Sequence, residues 1–252
     1  MNYQIIKKEF KESLFESKGL WMIAVSAAIL SGLCFLVLSM KEGSVLAQND
    51  ILQYAIKSAL FLTLIVSMVL GSASFIVERE ENTMESLLLT PIPKRDLAVA
   101  KYLGVMVIGI VMLAAAVPYL MAIGAGSGLI VSAIGILFFG GLLLLTAFVA
   151  LSIILSILMN SSKASVLTSI LIMTILTFPA MIQGLFKLSS IGTFILKIDP
   201  VACCFNMMAA ILTDKVSFFA LGSYIMPLVL FAFTAVILMI LLSGRIALKG
   251  EK

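Results

Sequence analysis

Six stretches of this chain are apolar over a length that suits a membrane crossing: about Leu20 to Met40, Ala59 to Val77, Tyr102 to Ile123, Leu129 to Met159, Ala164 to Phe186 and Tyr224 to Ser243. A helix needs roughly 20 residues to cross about 30 Å of hydrocarbon, and within lipid its backbone groups must be paired inside the chain. Six such stretches in 252 residues leave little chain for anything else. With 62% hydrophobic and 12% charged residues, the composition excludes a soluble globular domain. The expected fold is an all-α polytopic membrane protein, residues 1–252 forming a single transmembrane domain.

The fourth stretch exceeds what a bilayer requires, so it should tilt, bend near Gly140 and Gly141, or project into the cytoplasm. Pro118 in the third stretch and Pro179 in the fifth each remove a backbone hydrogen bond and predict a bend near the outer end. Gly71, Ser72, Ala73 and Ser74 close the second stretch with small residues that permit tight helix packing. Gly124, Gly126 and Gly128 predict a flexible turn, and Asn160 to Lys163 a tight one.

Lysine and arginine positions set the orientation. With the N-terminus inside, Lys7, Lys8, Lys11, Lys18, Arg79, Lys94, Arg95, Lys101, Lys163, Arg245, Lys249 and Lys252 face the cytoplasm. Only Lys41, Lys57, Lys187, Lys197 and Lys215 lie outside. Both termini are therefore expected in the cytoplasm, in a multi-pass protein of the plasma (inner) membrane. The net charge of +4 reads as contact with anionic headgroups and not with nucleic acid. Ahead of the first stretch, Tyr3, Ile6, Phe10 and Leu14 form one stripe and Lys8, Glu9, Glu12 and Glu16 lie opposite, predicting an interfacial helix within residues 1–19. No small-residue cleavage site is in sight, so the first stretch reads as a span rather than a signal peptide. Trp21 starts it at headgroup depth.

Between the second and third stretches the chain turns sharply polar, from Glu78 to Lys101: E-R-E-E-N-T-M-E-S-L-L-L-T-P-I-P-K-R-D-L-A-V-A-K. Such a segment belongs in water. Asn82 as N-cap with Glu85 three residues on predicts a short helix, which Pro91 ends. Met84, Leu87 and Leu88 make an apolar strip on one side of it. About two turns cannot hold themselves together in water, so the helix needs support from the spans and from a partner on the aqueous side.

This run resembles the cytoplasmic loop of the permease subunits of type-2 ABC exporters, roughly E-R-E-x-G-T-x-E-x-L-x-x-x-P, a basic residue, and later G-K. Glu78, Arg79, Glu80, Thr83, Glu85, Leu87, Pro91, Arg95 and Lys101 match; Asn82 stands in place of Gly, and Ala100 in place of the Gly before Lys. Asn is a common substitute where a cap or a positive φ is needed. The resemblance implies a coupling helix that docks into a cleft of an ATPase subunit, with Glu78, Arg79, Glu80, Glu81, Thr83, Met84, Glu85, Leu87, Leu88 and Pro91 as the ATPase-coupling residues. Which face meets the partner stays open. It further implies two ABC ATPase copies carrying ATP and Mg, a second permease subunit, identical or homologous, and an N-terminal helix that also touches the ATPase.

The link from Lys41 to Lys57 is short and polar, with no room for an extracellular domain. Between the fifth and sixth stretches, residues 187–223 are apolar but interrupted by Lys187, Lys197, Asp199, Pro200, Asp214 and Lys215. Asp199 then Pro200 reads as a cap and first helical residue. The run from Val201 to Thr213 is too short to span and predicts re-entrant outer helices; type-2 exporters show such an element, closing the outer mouth of the pathway. Cys34, Cys203 and Cys204 read as buried thiols, since adjacent cysteines could form only a strained ring.

No G-x-x-x-x-G-K-[ST] phosphate loop occurs, so ATP is expected on another chain, with no cofactor, metal or catalytic residue here. No charged residue falls in the middle of a span, which argues against ion coupling and proton relays. Ser67, Ser152, Ser156, Thr168, Thr174, Thr177 and Gln183 are candidates for lining a pathway, although hydroxyls in membrane helices commonly bond their own backbone. The expected function is the permease subunit of an ATP-driven exporter working as a dimer, its cargo amphipathic or lipid-like: a drug, a peptide or a lipid-linked molecule. The alternatives are an ATPase-linked scaffold or maturation factor, and a membrane enzyme built on Asp199, Asp214, Lys197 and Lys215, which lacks histidine.

Overall fold

The computed structural model describes residues 19–39, 45–81, 83–84, 93–125, 128–182, 190–214 and 221–246. Their regular structure is entirely helical. In chain order the helices are α1 (Gly19–Ser39), α2 (Val45–Ala73), α3 (Ile76–Glu80), α4 (Lys94–Ile123), α5 (Ile130–Leu158), α6 (Ser162–Ile182), α7 (Ser190–Ile198), α8 (Pro200–Leu212) and α9 (Gly222–Leu242), with a 3-10 turn at Ser243–Arg245. Six are long and apolar enough to cross a membrane, α2 with α3 counting as one. The N-terminal interfacial helix expected within residues 1–19 lies outside the described residues apart from Gly19, which begins α1.

The bundle is built around α5. Apolar on every side, it must be surrounded by other helices: 72% of its crossing stretch is buried, against 22% for α1 and for α9. It packs on α2, α4, α6, α8 and α9. Gly140 and Gly141 do not break it. They let neighbours in: a side chain at Gly140 would meet Cys204 Sγ and Met207, and one at Gly141 would meet Leu60 and Leu113. At both positions the missing side chain admits a neighbouring helix, as close packing of an interior requires. Helix α1 is peripheral and rests on α4 and α2, where the Tyr119 hydroxyl donates to Ala27 O at 3.2 Å.

Two spans run longer than their apolar cores suggest. Helix α2 begins at Val45, so most of the link from Lys41 to Lys57 is helix and not a polar loop. Helix α4 begins at Lys94 with Pro93 ahead of it, eight residues before Tyr102. Asp96 in its first turn suits the positive end of a helix dipole. At 29 and 30 residues, about 45 Å each at about 1.5 Å per residue, both are longer than a hydrocarbon layer is thick. Apolar content marked the cores of these helices, not where they begin. Helices α4 and α6 continue through Pro118 and Pro179. Gly128 has φ of 68°, a left-handed backbone that glycine adopts freely, in the link before α5.

Helices α7 and α8 follow one another at 85°. Asp199 is the N-cap between them: its Oδ2 accepts from Ala202 N at 2.9 Å, and Pro200 takes the first helical position. Helix α8 is buried against α9, α6, α5 and α2. Cys34, Cys203 and Cys204 are free and buried, as their setting in apolar sequence suggests.

Candidate functional site

Helix α2 does not run straight into the polar stretch. It stops at Ala73, the chain turns through Ser74 and Phe75, and α3 resumes for five residues. The break leaves backbone groups that neighbouring serines satisfy. Ser156 Oγ of α5 accepts from Phe75 N at 2.8 Å, and Ser165 Oγ of α6 donates to Ser72 O at 2.9 Å. Ser72 and Ser169 hydroxyls meet at 3.4 Å. A break inside a membrane-length helix persists only when its freed donors and acceptors find such partners.

Helix α3 carries the first part of the polar motif, and each of its charged residues points to a different neighbour. Glu78 Oε1 accepts from Lys101 Nζ of α4 at 2.6 Å, and that ammonium also lies 5.2 Å from the centre of the Phe75 ring. Arg79, 7% exposed, donates from Nη1 to Met159 O at 3.0 Å and from Nη2 to Ile157 O at 3.1 Å. Those carbonyls lie at the C-terminus of α5, where the last groups of a helix lack intrahelical partners and the dipole is negative. Arg79 Nε is buried without a partner, so the guanidinium is held by its two end nitrogens. Exposed Glu80 reaches the other side of the same turn, its Oε1 accepting from Ser162 N, the first amide of α6, at 2.9 Å. One cation and one anion, adjacent in sequence, thus sit at the two helix ends that match their sign.

Beyond α3, Thr83 closes a turn by donating from N and from Oγ1 to Glu78 O, at 3.0 and 3.2 Å. Met84 is buried, whereas Glu81 and Thr83 are exposed. Glu85, Leu87, Leu88 and Pro91 lie outside the described residues, as does Asn82, so the short capped helix expected there does too. On the far side of the loop, Lys94 Nζ donates to Ile246 O at 2.6 Å, tying the start of α4 to the turn after α9. The flanks of the loop are therefore joined to α5, to α6 and to the end of α9.

The sequence motif marked this region as polar and exposed; the internal partners of Glu78, Arg79, Glu80 and Lys94 were not legible in it. A contact such as Arg79 to Ile157 spans 78 residues and involves backbone carbonyls, which carry no residue signature. One of the hydroxyl candidates for a pathway is part of this frame, and a second is turned to its own helix. Ser156 holds Phe75, and Ser152, fully buried, bonds its own helix at Val149 O. Ser67 and Thr177 are also buried within the bundle. Thr174 is exposed and bonds Ile170 O; Gln183 is not among the described residues.

At the opposite end, Gln53 Nε2 of α2 donates to Thr213 Oγ1 after α8 at 2.8 Å, and Lys57 Nζ lies 5.1 Å from the centre of the Phe205 ring. Asp199 is occupied in capping α8, and Asp214 is exposed. Of the carboxylates considered for catalysis, one is spent on a helix end and the other faces outward, while Lys215 lies outside the described residues.

Residues 39–241 match the model of a protein family described as ABC-2 family transporter protein, a stretch that takes in α2 to α8 and nearly all of α9. Comparison with curated proteins finds no match.

Proposed function

The chain belongs to the ABC-2 transporter family, and from that premise we propose that it is the permease subunit of an ATP-driven exporter, driven by a separate ABC ATPase that docks on the loop between α3 and α4. The observation that carries this reading is the arrangement around the loop. Its flanks are fastened to α4, α5, α6 and the end of α9, while Glu81 and Thr83 stay exposed. A loop so anchored can transmit a push from an aqueous partner to several spans as a rigid-body change.

In this reading residues 78–101 form the coupling segment, with Glu81, Thr83 and Glu85 toward the ATPase and Met84 with Leu87 and Leu88 supporting the short helix. Glu78, Arg79 and Glu80 keep their internal partners. Two ATPases bind ATP and Mg beneath two permease subunits, the termini lie in the cytoplasm, and the membrane is the plasma (inner) membrane. The bent pair α7 and α8 is the re-entrant outer element. Apolar spans without charge at their centres suit an amphipathic or lipid-like cargo.

The test is co-expression with the ABC ATPase encoded in the same gene cluster, purification in mild detergent, and comparison of wild type with a Glu81→Ala, Glu85→Ala double variant. The wild type is expected to retain the ATPase and the double variant to lose most of it. Failure of the wild type to retain any ATPase overturns the reading.

A further inference from the structure

The charged residues of α3 contact the bundle in a pattern that suggests a specific route for movement. Helix α3 is separated from α2 by the turn at Ser74 and Phe75, yet it is bonded to the turn between α5 and α6 from both sides. Phe75 N donates to Ser156 Oγ, Arg79 donates to Ile157 O and Met159 O, and Glu80 accepts from Ser162 N. These bonds fall within seven residues of one another on the receiving strand of chain, 156 to 162, so the short helix holds that turn as a two-sided grip.

We propose that Arg79 and Glu80 are positioning residues that make α3 move together with the α5–α6 turn, so that displacement of the loop is delivered to α5 and α6. This rests on the reading of the loop as an ATPase dock and names its transmission path. The chemistry is suited to the task. A guanidinium donates to two carbonyls at fixed spacing, which resists rotation about either bond. A carboxylate on the first amide of α6 adds the complementary charge at a helix N-terminus. Because α5 is the central helix, packed on α2, α4, α6, α8 and α9, a shift of its end reaches most of the bundle. The grip also explains why Arg79 is only 7% exposed in a segment whose other features mark it for water.

The experiment is hydrogen–deuterium exchange of the detergent-solubilised complex with its ATPase, without nucleotide and trapped with ATP and orthovanadate. It follows peptides from the loop, residues 81–93, and from the turn, residues 157–166. In wild type both respond to trapping. With Arg79→Met the loop is expected to respond as before and the turn response to fall at least threefold; Arg79→Lys, a point charge without the planar fork, falls between. Glu80→Ala is expected to weaken the turn response and Glu80→Gln to restore it, since an amide oxygen still accepts from Ser162 N. A merely structural role predicts that loop and turn responses fall together. A wild-type-sized turn response in Arg79→Met overturns the proposal alone. Should Arg79→Met fail to assemble, the exposed Glu80 decides, and equal turn responses in its Ala and Gln variants overturn it. An unresponsive loop in wild type removes the docking reading, and this proposal with it.

Discussion

Lys101 Nζ lies 2.6 Å from Glu78 Oε1, joining α4 to α3 across the loop with side chains only 5% and 16% exposed. A pair this enclosed is a weak source of net stability, since both ions give up water to form it. Its asymmetry is the useful property: removing one partner strands the other.

Lys101→Met is therefore expected to cost about 3 to 5 kcal/mol, the range for breaking a buried pair. Glu78→Gln in the same chain should recover most of that loss. The buried thiols of Cys34, Cys203 and Cys204 provide a readout, because a thiol-reactive fluorophore labels them as the bundle opens. A double variant that melts no higher than Lys101→Met alone would show that the pair itself is not what holds α3 to α4.

Close approach of α8 to α5 depends on Gly140. A methyl there would lie 2.7 Å from Cys204 Sγ and 3.2 Å from Met207 Cε. Gly140→Ala is expected to destabilise by about 1 to 3 kcal/mol through overpacking. Cys204→Ala removes the sulfur that the methyl meets, so the double variant should cost less than the two singles summed. Melting temperatures of the four proteins measure the coupling; strict additivity would place the clash elsewhere.

Six apolar runs sufficed to predict six helices long and apolar enough to cross a membrane, because a continuous apolar run can pair its own backbone in lipid only as a helix. Asp199 with Pro200 was equally legible, since a cap and a first-turn proline act locally. Helix lengths were not. Lys94 to Lys101 and the residues from Val45 onward continue their helices beyond the apolar core, where hydropathy has no period to report. Least legible was the grip of Arg79 on Ile157 and Met159. Its motif identified the loop through the resemblance, but the receiving atoms are backbone carbonyls about eighty residues away, and only the packing of α3 against α5 brings them within reach.

Asp199 caps α8 at the bend with α7 and is 7% exposed. Asp199→Ala is expected to cost about 1 kcal/mol, the usual loss of an N-cap, and Asp199→Asn much less because its side-chain oxygen still accepts from Ala202 N. Exchange of amides in residues 201–204 should quicken in the Ala variant only. Equal quickening in both would mean that the charge, and not the capping geometry, secures the helix start.

The far end of α8 is fastened by Gln53 to Thr213, a bond between side chains 160 residues apart. Gln53 is 8% exposed, so deleting its acceptor leaves a buried amide short of a partner. Thr213→Val is then expected to cost about 1 to 3 kcal/mol, the penalty for such an orphan. Gln53→Leu combined with Thr213→Val should cost less than Thr213→Val alone, because two apolar groups replace the pair without stranding either. The measurement is thermal unfolding, paired with hydrogen exchange at residues 209–213, where loss of the bond should fray the last turn of α8 first. If the double variant frays and melts just as the single does, the tie does not hold α8, and its burial against α9, α6, α5 and α2 alone keeps it in place.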